Sequence, residues 1–416
     1  MVSLNTRIWL GAGAGIGLGL WLHQADPVHG YHDIVLHACD VVGNIFINLL
    51  KMVLIPVVLL SISTGMASLG GHRSARSVWT ATLAFFLATP LVASILGLTA
   101  VNLFEPGKGM TVSQFQQLPA IQSTPHVLTP TALLEKLVSQ VLVNPFHAMA
   151  ESDILATLVF GLLFGAALAR LDRKVRILVR SMKQMLEAMM LLVGWIMELA
   201  PLGVLALLTR LIATQDAAFF LTLLRFVLVI LGTLALHGFV ILPLALFLFT
   251  GMTPWTFLYK ARHPLVTAFA TCSSSATLPL TLRTVREEFG VSRRIAGFVP
   301  PLGATINMDG TAIYEAGAAL FVANLAGLDL DLPQQAVICF MAMLSSVGAP
   351  GIPSAGMVTM VMVLQAVGLP VEALAILLPI DRFMDAFRTM INVEGDMIGS
   401  MIVQKVSTAR KAAAGA

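Results

Sequence analysis

Charge is the first thing this chain is short of. Only 11% of its 416 residues are Asp, Glu, Lys or Arg, under half the roughly 25% of an ordinary soluble domain, so a water-facing surface cannot be covered. What charge there is nearly cancels, 25 basic against 22 acidic residues, which excludes a nucleic-acid binder working through a basic surface. Cysteine is scarce too. Cys39, Cys272 and Cys339 are odd in number, far apart and set in apolar text, which argues against a disulfide framework or a zinc site. No Asn-x-Ser/Thr sequon occurs, and the loops are short, which favours a bacterial inner (plasma) membrane over a glycosylated animal surface.

Apolar sequence is what remains: 57% of residues are hydrophobic and the mean hydropathy is +0.87. The chain therefore reads as an all-α polytopic membrane protein. Stretches near 7–22, 42–70, 77–104, 152–169, 184–209 and 218–250 are each long enough to cross a bilayer. The first is too long in its core for a cleavable signal, and no small-residue cleavage site precedes a soluble region. Residues 105–150 are mixed, with Pro and Gln. They read as a long external connection leading into a partial membrane segment.

Basic residues assign the sides. Arg7, Arg73 and Arg76 flank the first three spans, and Arg170, Arg173, Lys174, Arg176, Arg180 and Lys183 follow the fourth. Lys260 and Arg262, then Arg283, Arg286, Arg293 and Arg294, come next, and Lys405, Arg410 and Lys411 close the chain. These 18 of the 25 basic residues all fit the cytoplasmic side, while 23–37, 326–336 and 366–373 hold no Lys or Arg and read as external. Both termini are then cytoplasmic.

Two segments conflict with simple crossing. Residues 254–282 look membrane-embedded yet have basic clusters on both flanks, and their centre is Ser273-Ser274-Ser275-Ala276-Thr277-Leu278-Pro279. Residues 337–365 lack positive charge on both flanks and centre on Ser345-Ser346-Val347-Gly348-Ala349-Pro350-Gly351-Ile352-Pro353-Ser354. Non-helical backbone at membrane depth is tolerated only in protein or beside a cavity, so each segment is expected to be a re-entrant hairpin, one from each face. Each precedes a long span, 295–325 and 374–404, carrying the related strings Asn307-Met308-Asp309-Gly310-Thr311 and Asn392-Val393-Glu394-Gly395-Asp396. Hairpin plus helix, repeated in opposite orientation, is the inverted-repeat signature of secondary transporters.

The last span is the most specific. At helical spacing Asp381, Asp385, Arg388, Thr389, Asn392 and Asp396 fall within a stripe about 100° wide. A charge at a helix centre costs about 2.5–3.5 kcal/mol, so this face must meet protein, water or ligand. It is either a structural ion-pair seam or a site in which carboxylate and guanidinium meet the amine and carboxylate of one zwitterion. Glu394 lies on the opposite side of that wheel. The 307–311 string is expected to break its helix at Gly310, freeing carbonyls and presenting Asn307 and Asp309 as hard oxygen ligands for sodium. Backbone N–H groups at Ser273–Ser275 and Gly351–Ser354 would cradle a carboxylate. His23, His29, His32 and His37, with Asp26 and Asp33, read as a wet polar loop; His147 and His237 read as core residues. Ser274 with His237 and Asp309 would be the makings of an intramembrane serine hydrolase, but no G-x-S-x-G elbow is present.

Several strings in one order carry a family resemblance: Lys51-Met-Val-Leu-Ile-Pro, Asn144-Pro-Phe, SSSATLP, NMDGTA, GAPGIPSAG and D-x-x-x-D-x-x-R-T-x-x-N-V-x-G-D. The chain resembles the dicarboxylate/amino acid:cation symporter family, the glutamate transporter homologues, over nearly its whole length. The resemblance implies eight transmembrane helices, two re-entrant hairpins and a homotrimer. Residues 1–76 and 105–212 would be a scaffold. Residues 77–104 and 213–416 would be an elevator-type transport domain, with hairpins about 254–290 and 337–365 and helices about 295–325 and 374–405. It also implies roles. Asp385 would hold a substrate amine and Arg388 a side-chain carboxylate. Thr311, Thr389, Asn392, Gly356 and the two hairpin tips (Pro350 to Ser354 in the second) would bind the rest. One sodium would sit on Gly303, Asn307, Asn392 and Asp396, beside Met308 and Asp309. A second would sit on Thr305, Ser346, Val347 and Ala349. Of a third site, Phe86 and Pro90 leave only Thr89. Glu315 matches the proton-carrying acid of animal relatives. Having both Asp385 and Arg388 favours L-glutamate or L-aspartate, moved with Na+ and/or H+. Asp381-Arg382-Phe383-Met384 keeps a C4-dicarboxylate carrier as the alternative.

Overall fold

The computed structural model describes residues 4–24, 31–68, 76–109, 142–151, 154–214, 217–348 and 355–414, and among these every regular element is helical. Five helices pack chiefly on one another: α1 (Leu4–Gln24), α2 (Tyr31–Ser68), α5 (Ile154–Leu171), α6 (Arg176–Glu198) and α7 (Ala200–Thr214). The short α4 (Pro145–Ala150) leads into α5. It starts where Asn144 accepts from Phe146 N at 2.9 Å, with Pro145 at the first helical position, where its missing N–H costs nothing. Only Ala148 of α4 is buried, and His147 is exposed. The core position expected for that histidine is not found.

The remaining helices gather around two long ones, α14 (Asp309–Leu325) and α17 (Leu374–Ala414). α3 (Arg76–Phe104) lies along α14 and also meets α17. α8 (Ala217–Leu236) and α9 (Leu242–Thr250) form one continuous rod with a π-helical turn, His237–Ile241, between them. By length and composition Ser77–Phe104 and Ala218–Thr250 can each cross a membrane, and the pair Arg176–Ile196 and Ala200–Thr214, bent by 50°, makes up to a third among the described residues.

Two helix pairs complete the assembly. α10 (Pro254–Thr271) and α11 (Ser274–Glu287) pack side by side across a two-residue tip. Cys272 turns the chain in the left-handed region, φ +51°, and Ser273 caps α11 by accepting from Ala276 N at 3.1 Å. α15 (Leu332–Gly348) and α16 (Ala355–Ala366) also pack together; Ala349, Pro350, Gly351, Ile352, Pro353 and Ser354 lie outside the described residues. Between the pairs run α12 (Arg293–Ala296) and α13 (Val299–Ile306).

The helix break is not where glycine suggests. Asn307 (φ −109°, ψ 86°) and Met308 (φ −121°, ψ 65°) leave the helix, whereas Gly310 is helical, in the first turn of α14. Gly310 serves another end. A Cβ there would collide with the backbone carbonyl of Arg388, so its bare Cα lets α14 and α17 touch backbone to backbone.

Candidate functional site

α17 supplies the charged stripe. Positions 391–400 are buried all the way round, so this helix meets protein on every side. Nη2 of Arg388 donates to Asp381 Oδ1 at 2.7 Å and to Asp385 Oδ1 at 2.9 Å. Arg382 adds an ion pair to the other oxygen of Asp385 at 3.6 Å. Two acids and two guanidinium groups thus balance, as a buried cluster of charges must. The guanidinium of Arg388, fully buried, lies 4.3 Å from the ring centroid of Tyr314 on α14, a cation–π contact that adds to the pairing. Its Nε and Nη1 are buried and have no hydrogen-bond partner among the described residues. Gly356 of α16 faces this guanidinium: a Cβ there would lie 3.0 Å from Nη1.

The polar groups expected to bind around Arg388 are close by. Asn392 accepts from Gly310 N at 2.8 Å and donates to Thr311 at 3.4 Å. Thr311, Thr389 and Asn392 are all buried. On the first hairpin Ser273 and Ser274 are buried while Ser275 is exposed. Asp385, Arg382, Arg388 and Asp381 all act electrostatically on Cys272 at its tip. That tip therefore stands near the stripe; the N–H groups of Ala276 and Thr277 go to Ser273, and those of Ser274 and Ser275 have no acceptor within their own helix.

Below the stripe the oxygen donors converge. Asn307 donates to Asp396 Oδ1 at 3.4 Å and accepts from Thr89 at 3.0 Å. Gly303 runs so near that a Cβ would collide with Asp396 Oδ1. Gly303, Asn307, Asp396 and Thr89 thus form one cluster of amide, carboxylate, hydroxyl and backbone groups, the donor set a hard cation takes. Phe86 is fully buried beside it, and Pro90 accepts from Ser94 at 2.5 Å. Thr305 and Ser346 sit on packed helices, α13 and α15, but each hydroxyl donates to its own helix, to Leu302 at 2.9 Å and Met343 at 2.7 Å. Val347 belongs to α15, and Ala349 lies outside the described residues.

Glu315 ties α14 to the second pair. It is fully buried and accepts from Ser345 on α15 and from Thr359 on α16. Asp309 is held differently: Nε2 of His237, in the π turn, lies 3.0 Å from its Oδ2. His237 is fully buried as expected, yet its Nδ1 has no hydrogen-bond partner among the described residues. Glu394, on the far side of the wheel, is also buried and faces Gly238 of the same turn. Sequence reasoning gave these two residues no part in the site. The available signal was Glu394 itself, a further acid two residues from Asp396 in the middle of the last long span. Ser274 makes no hydrogen bond to His237 or Asp309 among the described residues, so no hydrolytic triad forms. His32 pairs with Asp33 at 3.4 Å, and no three His, Cys, Asp or Glu side chains converge as a metal group among the described residues.

Similarity to known proteins agrees with a transport site. The chain is 37% identical over 393 residues to the neutral amino acid transporter B(0) of Oryctolagus cuniculus, covering 87% of this chain and 72% of that one. It is 35% identical over 415 residues to excitatory amino acid transporter 3 of Homo sapiens, covering 88% and 78%. These relatives are transporters and not enzymes. Residues 4–406 match the sodium:dicarboxylate symporter family, a stretch that takes in the helical assembly from α1 to the last turns of α17. On that match the chain belongs to the sodium:dicarboxylate symporter family and is a multi-pass membrane transporter.

Proposed function

We propose that this transporter is a secondary active symporter for L-glutamate or L-aspartate, driven by Na+, with H+ as a second coupling ion through Glu315. Arg388 carries the reading. A fully buried guanidinium with two nitrogens unpartnered among the described residues is suited to donate to an anionic oxygen, because hydrogen bonds from ionised donors are about twice as strong as neutral ones. Asp385, one turn earlier, offers its carboxylate to an ammonium group. The charges of Asp381, Asp385, Arg382 and Arg388 cancel, so an acidic amino acid would bring one net negative charge into the interior, near the further carboxylate of Asp396. A cation bound at Asn307 and Asp396 would neutralise that carboxylate and lower the repulsion the substrate meets, which links substrate entry to ion entry.

The chain would cross the membrane eight times and enter it twice more at α10–α11 and α15–α16, with both termini in the cytoplasm of a bacterial cell. Residues 77–104 and 213–416 would move as an elevator against 1–76 and 105–212, within a homotrimer. Supporting this division, α1, α2, α5, α6 and α7 pack chiefly on each other while α3 and the later helices pack around α14 and α17.

One relative is named for neutral amino acids; in the family resemblance, members with such substrates lack the arginine found here at 388. The second reading is a C4-dicarboxylate carrier, favoured by the family's description and by Asp381-Arg382-Phe383-Met384. Uptake of labelled aspartate into liposomes under a sodium gradient tests both. Competition by succinate stronger than by glutamate would replace the first reading with the second, and no gradient-driven uptake of either would defeat both.

A further inference from the structure

The π turn places an imidazole where the cation-binding backbone begins. A π turn holds one residue more than the α-helix around it and tends to occur at functional sites. Here it buries His237 and Gly238 and leaves Phe239 and Val240 exposed on the outer face. Gly238 is required by packing: a Cβ would collide with Ile391 and lie 3.0 Å from Glu394 Oε2. The turn is therefore pressed against α17 while His237 reaches α14.

Asp309 is the first residue after the Asn307–Met308 break, next to the amide that meets Thr89 and Asp396. Its carboxylate is divided. Oδ2 takes the His237 nitrogen at 3.0 Å, and Oδ1 is buried with no hydrogen-bond partner among the described residues. Glu394 Oε1 is buried in the same condition. A carboxyl oxygen left bare in a protein interior is costly unless a partner comes to it.

We infer that His237 is a positioning residue for the coupling cation: by holding Oδ2 of Asp309 it fixes the carboxylate so that Oδ1 serves a sodium ion beside Asn307. This rests on the sodium-coupled reading above. The imidazole acts as an outer partner that orients an inner ligand, and loss of such a partner typically weakens metal binding about 10- to 100-fold.

The test is aspartate uptake into liposomes by wild type, His237→Ala and His237→Gln, titrated with external Na+, with aspartate KM measured at saturating Na+. The half-saturating Na+ concentration is expected to rise about 10- to 100-fold in His237→Ala, with aspartate KM unchanged. His237→Gln, whose amide N–H stands where Nε2 stood, should recover most of the loss. A sodium curve in His237→Ala that overlays a steep wild-type curve overturns this inference alone; so does a His237→Gln variant as impaired as the alanine. A wild-type curve flat in Na+ overturns the sodium reading and this inference with it. Should His237→Ala not fold, the rise in melting temperature on adding Na+ decides: retained in His237→Gln it supports the inference, lost it overturns it.

Discussion

Asp385 and Arg388 stand one turn apart on α17 and are joined directly, Oδ1 to Nη2 at 2.9 Å. The two groups expected to receive opposite ends of a substrate thus hold each other, and a substrate that bridges them must exchange one ion pair for two. Replacing Arg388 by Ala leaves Asp381 and Asp385 buried without their shared partner, a change that costs about 3–5 kcal/mol when a buried pair is broken. Uptake of aspartate by Arg388→Ala should fall at least about 100-fold, the lower bound of that energy. Retained uptake at the wild-type rate would remove the guanidinium from the binding site.

Asp385→Asn separates the two substrate readings. It removes the charge that meets an ammonium while leaving Arg388 paired to Asp381. If the substrate is an amino acid, aspartate uptake should drop by about 10-fold or more, since a hydrogen bond to a charged group contributes about 1.5–3 kcal/mol. Succinate inhibition constants, measured in the same liposomes, should be unchanged. Equal losses for both ligands would argue against an amine at this position.

Gly310 should tolerate no side chain. A methyl group there meets the Arg388 carbonyl, and overpacking of this kind costs about 1–3 kcal/mol. Gly310→Ala is expected to lower the melting temperature of the purified protein by several degrees and to weaken aspartate binding through the displaced Arg388. A melting curve identical to wild type would show that α14 and α17 can separate without strain.

Glu315 joins three helices through Ser345 and Thr359. Thr359→Val and Ser345→Ala each remove a donor from a buried carboxyl, at about 1–3 kcal/mol apiece. Because both act on one group, their effects on unfolding should not add; coupled pairs deviate by about 0.5–3 kcal/mol. If Glu315 also carries the proton, Glu315→Gln should abolish the stimulation of uptake by an inward proton gradient while sodium-driven binding persists. Strict additivity, or stimulation that survives in Glu315→Gln, would count against each point in turn.

How much of this was legible beforehand depended on what each residue type can do in an apolar setting. Asp385, Arg388, Asn392 and Asp396 were legible because charge at helical spacing inside a hydrophobic run has few places to go. Asn307 and Asp309 were legible for the same reason, but the break beside them was assigned to the wrong residue. Glycine at 310 signals both dihedral freedom and close packing, and only the neighbouring helix decides between them. Glu394 went unassigned because a wheel divides a helix into a functional face and a remainder. α17 has no remainder: its midsection is enclosed on all sides. His237 was read as core, correctly for its burial, but nothing in HGFVI announces a π turn, so its reach to Asp309 could not be foreseen. The expected core place of His147 failed for the opposite reason, since a six-residue helix of this kind buries a single side chain.

The backbone contact at Gly310 also bears on energy transduction. The peptide that donates to Asn392 and the peptide that carries the Arg388 carbonyl belong to different helices yet share one surface. The ion ligands proposed at the start of α14 and the substrate ligands proposed on α17 are thus referred to a common baseline, backbone against backbone. Linkage between the two ligands would then need no large motion: a displacement of one helix at this seam has no slack to take it up before it reaches the other.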